Sequence, residues 1–297
     1  MFVLAGILGT LAAAAAAGLV DQDEGEEDED ASDPEEEDGE EATDGETGAA
    51  AQPQGPADLP GAELAGDGEL VGGAGDDVLT GGAQDDDLTG GDGDDSLYGN
   101  DGDDWMFGDD TPNAEGRDAL FGGAGDDTMA GNGGDDSLRG NAGDDKLFGG
   151  DGDDHLSGDA GHDALVGSAG DDVLTGGAGG DDLSGGLDDD LLDGGAGSDF
   201  LHGGAGDDTL IGTGDDWLDG NEGEDVFVIE PDGDGVASIG DFAQGDRIEI
   251  AVDDAGAELT IARTEDDTAT VLIDGVPVAR VLDAAGLSEA DIRLITG

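Results

Sequence analysis

Along residues 72–228 an apolar side chain returns at every ninth position, flanked by one outward residue on each side and separated from the next return by a short polar stretch rich in glycine and aspartate. Seventeen returns follow one another: Leu79, Leu88, Leu97, Met106, Leu120, Met129, Leu138, Leu147, Leu156, Leu165, Leu174, Leu183, Leu192, Leu201, Leu210, Leu218 and Phe227. A polar–apolar–polar triplet is the alternation of a short strand, and six turn-forming residues before it reverse the chain. Consecutive strands then lie on opposite sides of the molecule, so units i and i+2 stack in one parallel sheet and eighteen residues make one coil. About eight such coils at roughly 4.8 Å each give a rod on the order of 40 Å long. The fold class predicted is all-β, a two-sheet parallel solenoid of nonapeptide repeats.

The first complete unit reads Gly72-Gly73-Ala74-Gly75-Asp76-Asp77-Val78-Leu79-Thr80, and the pattern is G-G-x-G-x-D-x-U-x with U apolar. Two units break the length. The unit from Gly108 carries five extra residues around Thr111–Glu115, and the unit from Gly212 is one residue short; both are expected as surface bulges. The sixth position is aspartate throughout: Asp77, Asp86, Asp95, Asp104, Asp118, Asp127, Asp136, Asp145, Asp154, Asp163, Asp172, Asp181, Asp190, Asp199, Asp208, Asp216 and Asp225. Stacked turns bring these carboxylates into rows that repel unless a cation lies between them. Calcium takes six to eight oxygens, which carboxylates and glycine carbonyls together can supply. Gln84 and Asp188 replace the fourth-position glycine, so the turns of Asp86 and Asp190 are expected to be weaker sites, as are the displaced turns of Asp118 and Asp216. The run from Asp127 to Asp181 is expected to be the most regular.

Outside the repeats the pattern changes. Residues 229–297 lose the period, and apolar runs at Ile248–Val252, Leu259–Ile261, Ala269–Ile273 and Val276–Leu282 predict a separate strand-rich capping segment. Asp274-Gly275 is a two-residue hairpin signal, and Ser288 with Asp291 predicts a short capped helix. Residues 61–71 are taken with the roll. Residues 21–60 hold eighteen Asp or Glu, no Lys or Arg, and four prolines, which reads as an acidic extended linker. Residues 1–20 are uncharged and mostly apolar, long enough to cross a bilayer. A membrane anchor, a secretory signal and a simple apolar tail remain alternatives there, because the basic flank of an ordinary signal is missing.

Charge sharpens this picture. The chain of 297 residues has 80 acidic against 7 basic residues, 62 glycines and a formal charge of −73. Self-repulsion and an aromatic content of 3% predict that the metal-free chain is largely disordered. The same charge excludes nucleic acid and anionic membrane surfaces as electrostatic partners and invites cations. With no cysteine, thiolate sites and disulfides are impossible, leaving hard ions as the favoured metals.

These units resemble the RTX, or hemolysin-type, calcium-binding repeat family over about half of the chain. The resemblance implies a parallel β-roll with Ca2+ shared between neighbouring turns at the seventeen aspartates, and export through a type I secretion apparatus that reads an uncleaved C-terminal signal into the extracellular space. The segment Asp225-Val226-Phe227-Val228, with Ile239-Gly240-Asp241-Phe242 and Gly245-Asp246-Arg247-Ile248, is similar to the one that closes the roll in serralysin-type secreted proteases. The apolar N-terminus departs from that pattern, since type I substrates normally need no such signal.

No catalytic motif accompanies the repeats: H-E-x-x-H, G-x-S-x-G and a cysteine nucleophile are all missing. His155, His162 and His202 fall at variable positions and read as surface substitutions. Phe200 and Trp217 are predicted side by side on one sheet, covered by the C-terminal segment or, alternatively, offered as a sugar or partner platform. The expected function is an extracellular, non-enzymatic calcium-binding structural or surface protein. The alternative is an accessory module of a secreted enzyme, such as a polysaccharide-modifying one.

Overall fold

The computed structural model describes residues 61, 63–111, 116–231, 233, 235–254, 256–282 and 284–296. The apolar segment 1–20, the acidic segment 21–60 and most of the insertion expected to bulge near Thr111 lie outside these. The described residues fold as one compact unit with two sheets of 12 and 13 strands, in which each strand from Glu63–Ala65 to Val226–Ile229 pairs with its neighbours two places along the chain.

The register follows directly from the repeat. Lys146–Asp151 pairs in parallel with Thr128–Gly133 on one side and Ala164–Ala169 on the other, a step of eighteen residues each way. The inward residues come into line: Leu147 stands opposite Met129 and Leu165. All seventeen periodic apolar side chains are buried, forming a double column between the sheets. A column built from one side chain per strand is narrow, and it closes only because the turns are almost without side chains on their inner face. Gly143 shows why: it has φ of 146°, and a methyl group there would meet the Gly125 carbonyl oxygen of the preceding coil at 1.8 Å.

The roll begins before the first complete repeat. Glu63–Ala65 pairs with Val78–Thr80, setting Leu64 opposite Leu79, and Leu70 is buried at the head of the second sheet. It also continues beyond the last repeat. The expected break at residue 229 is a loss of sequence period without a loss of stacking: Ala237–Ile239 pairs in parallel with Trp217–Glu222, and Arg247–Ala251 with Val226–Ile229. Ile239 and Ile248 extend the core column as fully buried residues. Longer connections between these strands hide the period from the sequence.

The direction then reverses. Val276–Val281 lies parallel to Ala237–Ile239 but antiparallel to Ala269–Ile273, which pairs antiparallel with Leu259–Arg263. The predicted hairpin is there, with Asp274 and Gly275 at φ of 52° and 81°. The predicted capped helix is a single 3-10 turn over Glu289–Asp291, with Ser288 and Asp291 making both bonds of the capping box. It leads into Ile292–Ile295, which adds a final parallel strand to Arg247–Ala251. Arg263 ties this end together by donating to the carbonyls of Ala284, at 2.6 Å, and Leu287.

This arrangement makes the C-terminal segment the cover for two open sheet edges and one open core end. A chain ending at Val228 should fail to gain β structure on adding calcium, although it keeps all seventeen repeat aspartates. Circular dichroism of the full and shortened chains across one calcium titration measures this, and equal midpoints would show that the segment does not cap.

Candidate metal sites

Every sixth-position aspartate is buried, which is unusual for a carboxylate and needs a compensating partner. One oxygen has its partner in the chain. The backbone N–H of Asp127 donates to Asp145 Oδ1 at 2.8 Å, Asp145 N–H to Asp163 Oδ1 at 2.8 Å, and Asp163 N–H to Asp181 Oδ1 at 2.9 Å. Each carboxylate is therefore clamped by an amide one coil earlier, and the clamp repeats along both edges of the roll.

The other oxygen is different. Oδ2 of Asp95, Asp104, Asp118, Asp127, Asp136, Asp145, Asp154, Asp163, Asp172, Asp181, Asp190, Asp199 and Asp208 is buried with no hydrogen-bond partner. The first-position glycine makes room for it: a methyl group on Gly140 would lie 2.2 Å from Asp145 Oδ2 and 2.9 Å from the Gly158 carbonyl oxygen. Two acceptor oxygens thus converge where no donor reaches. Among the described residues no three carboxylate or imidazole groups gather to hold a metal, so a cation here relies on carbonyl oxygens beside the carboxylate. That donor set, all oxygen and partly neutral, suits calcium.

Burial is also the main reason these groups resist ionisation. It pushes Asp136 up to about 8, Asp127, Asp154 and Asp199 to about 7, and Asp145, Asp163 and Asp172 to about 6. The clamping amide pulls each one down, and neighbouring carboxylates push most of them further up.

The fifth-position carboxylates form a second ladder that sequence reading did not separate from the first. Asp144 N–H donates to Asp126 Oδ1 at 2.9 Å and Asp207 N–H to Asp189 Oδ1 at 2.7 Å, with the carboxylate now one coil before its donor. These groups are exposed. His162, at the same position, joins the ladder through its backbone N–H to Asp144 Oδ1 at 2.8 Å. Where a turn carries an Asp-Asp pair, the two divide the work: the outer member braces adjacent coils, and the inner one holds an oxygen inside.

The four turns singled out as irregular fall into two kinds. Asp86 accepts at both oxygens, from Gly68 and, at 2.6 Å, from Gly82, while Gln84 bonds to Asp67 instead of completing a regular turn. Asp216 accepts from Asp199 at 2.9 Å and from Thr213 at 2.6 Å. Asp118 and Asp190 keep the regular geometry, each with Oδ1 clamped and Oδ2 free of donors. Asp188 is tolerated because aspartate can take the left-handed backbone, here with φ of 73°.

Two buried aspartates were missed. Asp246 ends one row, accepting from Asp225 at 3.1 Å and Ala243 at 2.6 Å, and its only sequence signal is its place two residues before the inward Ile248. Asp109, at the second position of the unit from Gly108, is buried where the other units expose or half-expose every side chain at that position. The aromatic pair also departs from expectation. Trp217 is approached by Gly240, but Phe200 stays 54% exposed, because the C-terminal strands stack beyond Trp217 and do not fold back over the sheet face.

The repeat sequence itself decides the family: a model of the RTX calcium-binding nonapeptide repeat matches residues 64–97, 84–111, 114–138, 130–165, 157–192, 184–214 and 212–228. The chain belongs to the RTX calcium-binding repeat family. Its repeats bind Ca2+. No curated protein matches the chain. Among solved structures it is similar to the extracellular lipase LipA from Serratia marcescens, at 18% identity and a TM-score of 0.20, over 75% of this chain and 40% of the lipase. The chain therefore spans less than half of that enzyme's length.

Two predictions follow from the RTX turns. In chelator, β content should fall as pH rises from 5 to 8: the inner carboxyls titrate in the fold at about 6 to 8, above the unfolded value near 4, so the stability they lend is full below about pH 4 and lost through that window. Circular dichroism across pH tests this, and a flat or rising profile contradicts it. Asp145→Ala should weaken calcium binding at its turn by roughly tenfold and Asp86→Ala by roughly twofold, because the Asp86 oxygens are already held by amides. Calorimetric titration measures both, and equal losses would refute the ranking.

Proposed function

We propose that the chain is an extracellular structural or surface-associated protein whose RTX roll folds as calcium loads its turns, and that it is not an enzyme. One observation carries this reading: rows of buried carboxylate oxygens without donors, repeated at each coil, are stable only with cations between the turns. Repetition also argues against catalysis, because a reaction site is a single constellation and most of these turns repeat one geometry.

Low cytosolic calcium would keep such a chain unfolded, and external calcium would fold it, which suits passage through a type I secretion apparatus. A chain delivered C-terminus first would present its capping strands to calcium before the repeats. Among the described residues no helix is long and apolar enough to cross a membrane, so any membrane contact is proposed only for residues 1–20. A second reading, an accessory or targeting module of a secreted polysaccharide-modifying enzyme, draws on the exposed rings of Phe200 and Trp105, each 54% accessible on the outer face of one sheet.

The full chain at neutral pH should be disordered in chelator and become β-rich at calcium concentrations of about 0.1 to 1 mM, the range of extracellular modules. Circular dichroism with and without chelator decides it; the same folded spectrum in both would remove calcium-coupled folding from the function.

A further inference from the structure

One turn is charged differently from the rest. At the second position of a unit, Asn100, Asn132, Asn141, Asp159, Ser168 and Asn221 take the left-handed backbone with φ from 71° to 98°, and none of their side chains is buried. Asp109 occupies the same position without that conformation, and its side chain turns inward to 1% exposure. Neither of its carboxylate oxygens has a hydrogen-bond partner; the amides of Gly133 and Gly116 face it without reaching bonding geometry. Asp118 Oδ2 in the same turn is also without one. This turn therefore holds three orphaned acceptor oxygens where a regular turn holds one.

A methyl group on Gly116 would lie 3.1 Å from Asp109 Oδ1, 2.3 Å from the Gly93 carbonyl oxygen and 3.2 Å from Asp118 Oδ1, the oxygen that the Asp95 N–H already holds at 2.8 Å. No side chain neutralises them, because Arg117, the one cation of this turn, points outward and pairs with Asp94 at 3.5 Å. Two buried carboxylates side by side, unpaired, are strongly unfavourable unless a cation joins them.

We propose that Asp109 adds a second carboxylate to the repeat site of Asp118, beside the Gly93 carbonyl, and that this two-carboxylate calcium site fills ahead of the other repeat sites. The inference rests on the calcium reading of the roll. Its physical basis is charge count: at an all-oxygen site, a second full carboxylate raises affinity for a hard divalent ion over one carboxylate with neutral carbonyls. Such a site sets an early ion near the middle of the N-terminal half of the roll, next to the longest interruption of the repeat, where ordering would otherwise stall.

The test is calcium binding to the full chain by flow dialysis, comparing the wild type with Asp109→Asn, which keeps shape and removes charge, and with Asp145→Asn at a regular turn. The wild type should take up about one ion in a tight step before the main transition. Asp109→Asn should weaken that step by about tenfold or more, merging it with the main transition. Asp145→Asn should leave the tight step in place. At saturating calcium, circular dichroism of Asp109→Asn should match the wild type, since the other turns remain loaded. An Asp109→Asn isotherm superimposed on the wild type overturns the proposal, and so does a variant that fails to fold at saturating calcium, which would mark Asp109 as structural only. A wild type that takes up no calcium at all overturns the calcium reading of the whole roll with it.

Discussion

In every regular turn one carboxylate oxygen is clamped by an amide of the preceding coil while its partner oxygen is buried without a donor. The first bond fixes the carboxylate in place, so it cannot swing into water when the turn is empty. The second oxygen then costs desolvation that nothing in the polypeptide offsets. The roll is thereby built so that its own hydrogen bonding commits it to a cation. An arrangement in which both oxygens were satisfied by amides, as at Asp86 and Asp216, would fold without metal and lose the coupling.

That commitment explains the composition. A narrow column of leucines contributes one buried side chain per nine residues, too little apolar area to order the chain by itself. Glycine lets neighbouring coils approach within contact of backbone on backbone, and each approach leaves carbonyl oxygens beside a carboxylate. Within the repeats, two aspartate ladders, one inside and one outside, supply most of the acidic residues.

The period of nine made the sheets, the column and the inner ladder readable, because a strict repeat fixes which residues meet: Leu147 can only stand between Met129 and Leu165 once the step is eighteen. What the period did not carry was harder to see. Ile239, Asp246 and Ile248 continue the column and the ladder after connections of irregular length, so no spacing announces them. Asp109 looks like one more surface substitution at a variable position, and only its backbone conformation, which sequence does not display, turns it inward. Asp188 replaces a glycine, yet it too takes a positive φ, of 73°, and leaves Asp190 in place.

The two ends of the roll differ in how they stop. At the start, Glu63–Ala65 and Glu69–Ala74 present open edges rich in charge, with Asp67 reaching into the first turns and occupying space that a regular coil would give to a cation. At the finish, an antiparallel meander and a returning parallel strand cover the column, and Arg263 bonds the last turn to the sheet. Charge on an edge discourages pairing with another chain but does little to seal a core. The C-terminal end adds core residues, Val271, Ala279, Val281 and Ala284, in a segment that carries none of the seventeen repeat aspartates. Ordering that starts there needs only the next coil to bind its ions, and each loaded turn supplies the clamped carboxylates against which the following turn can form.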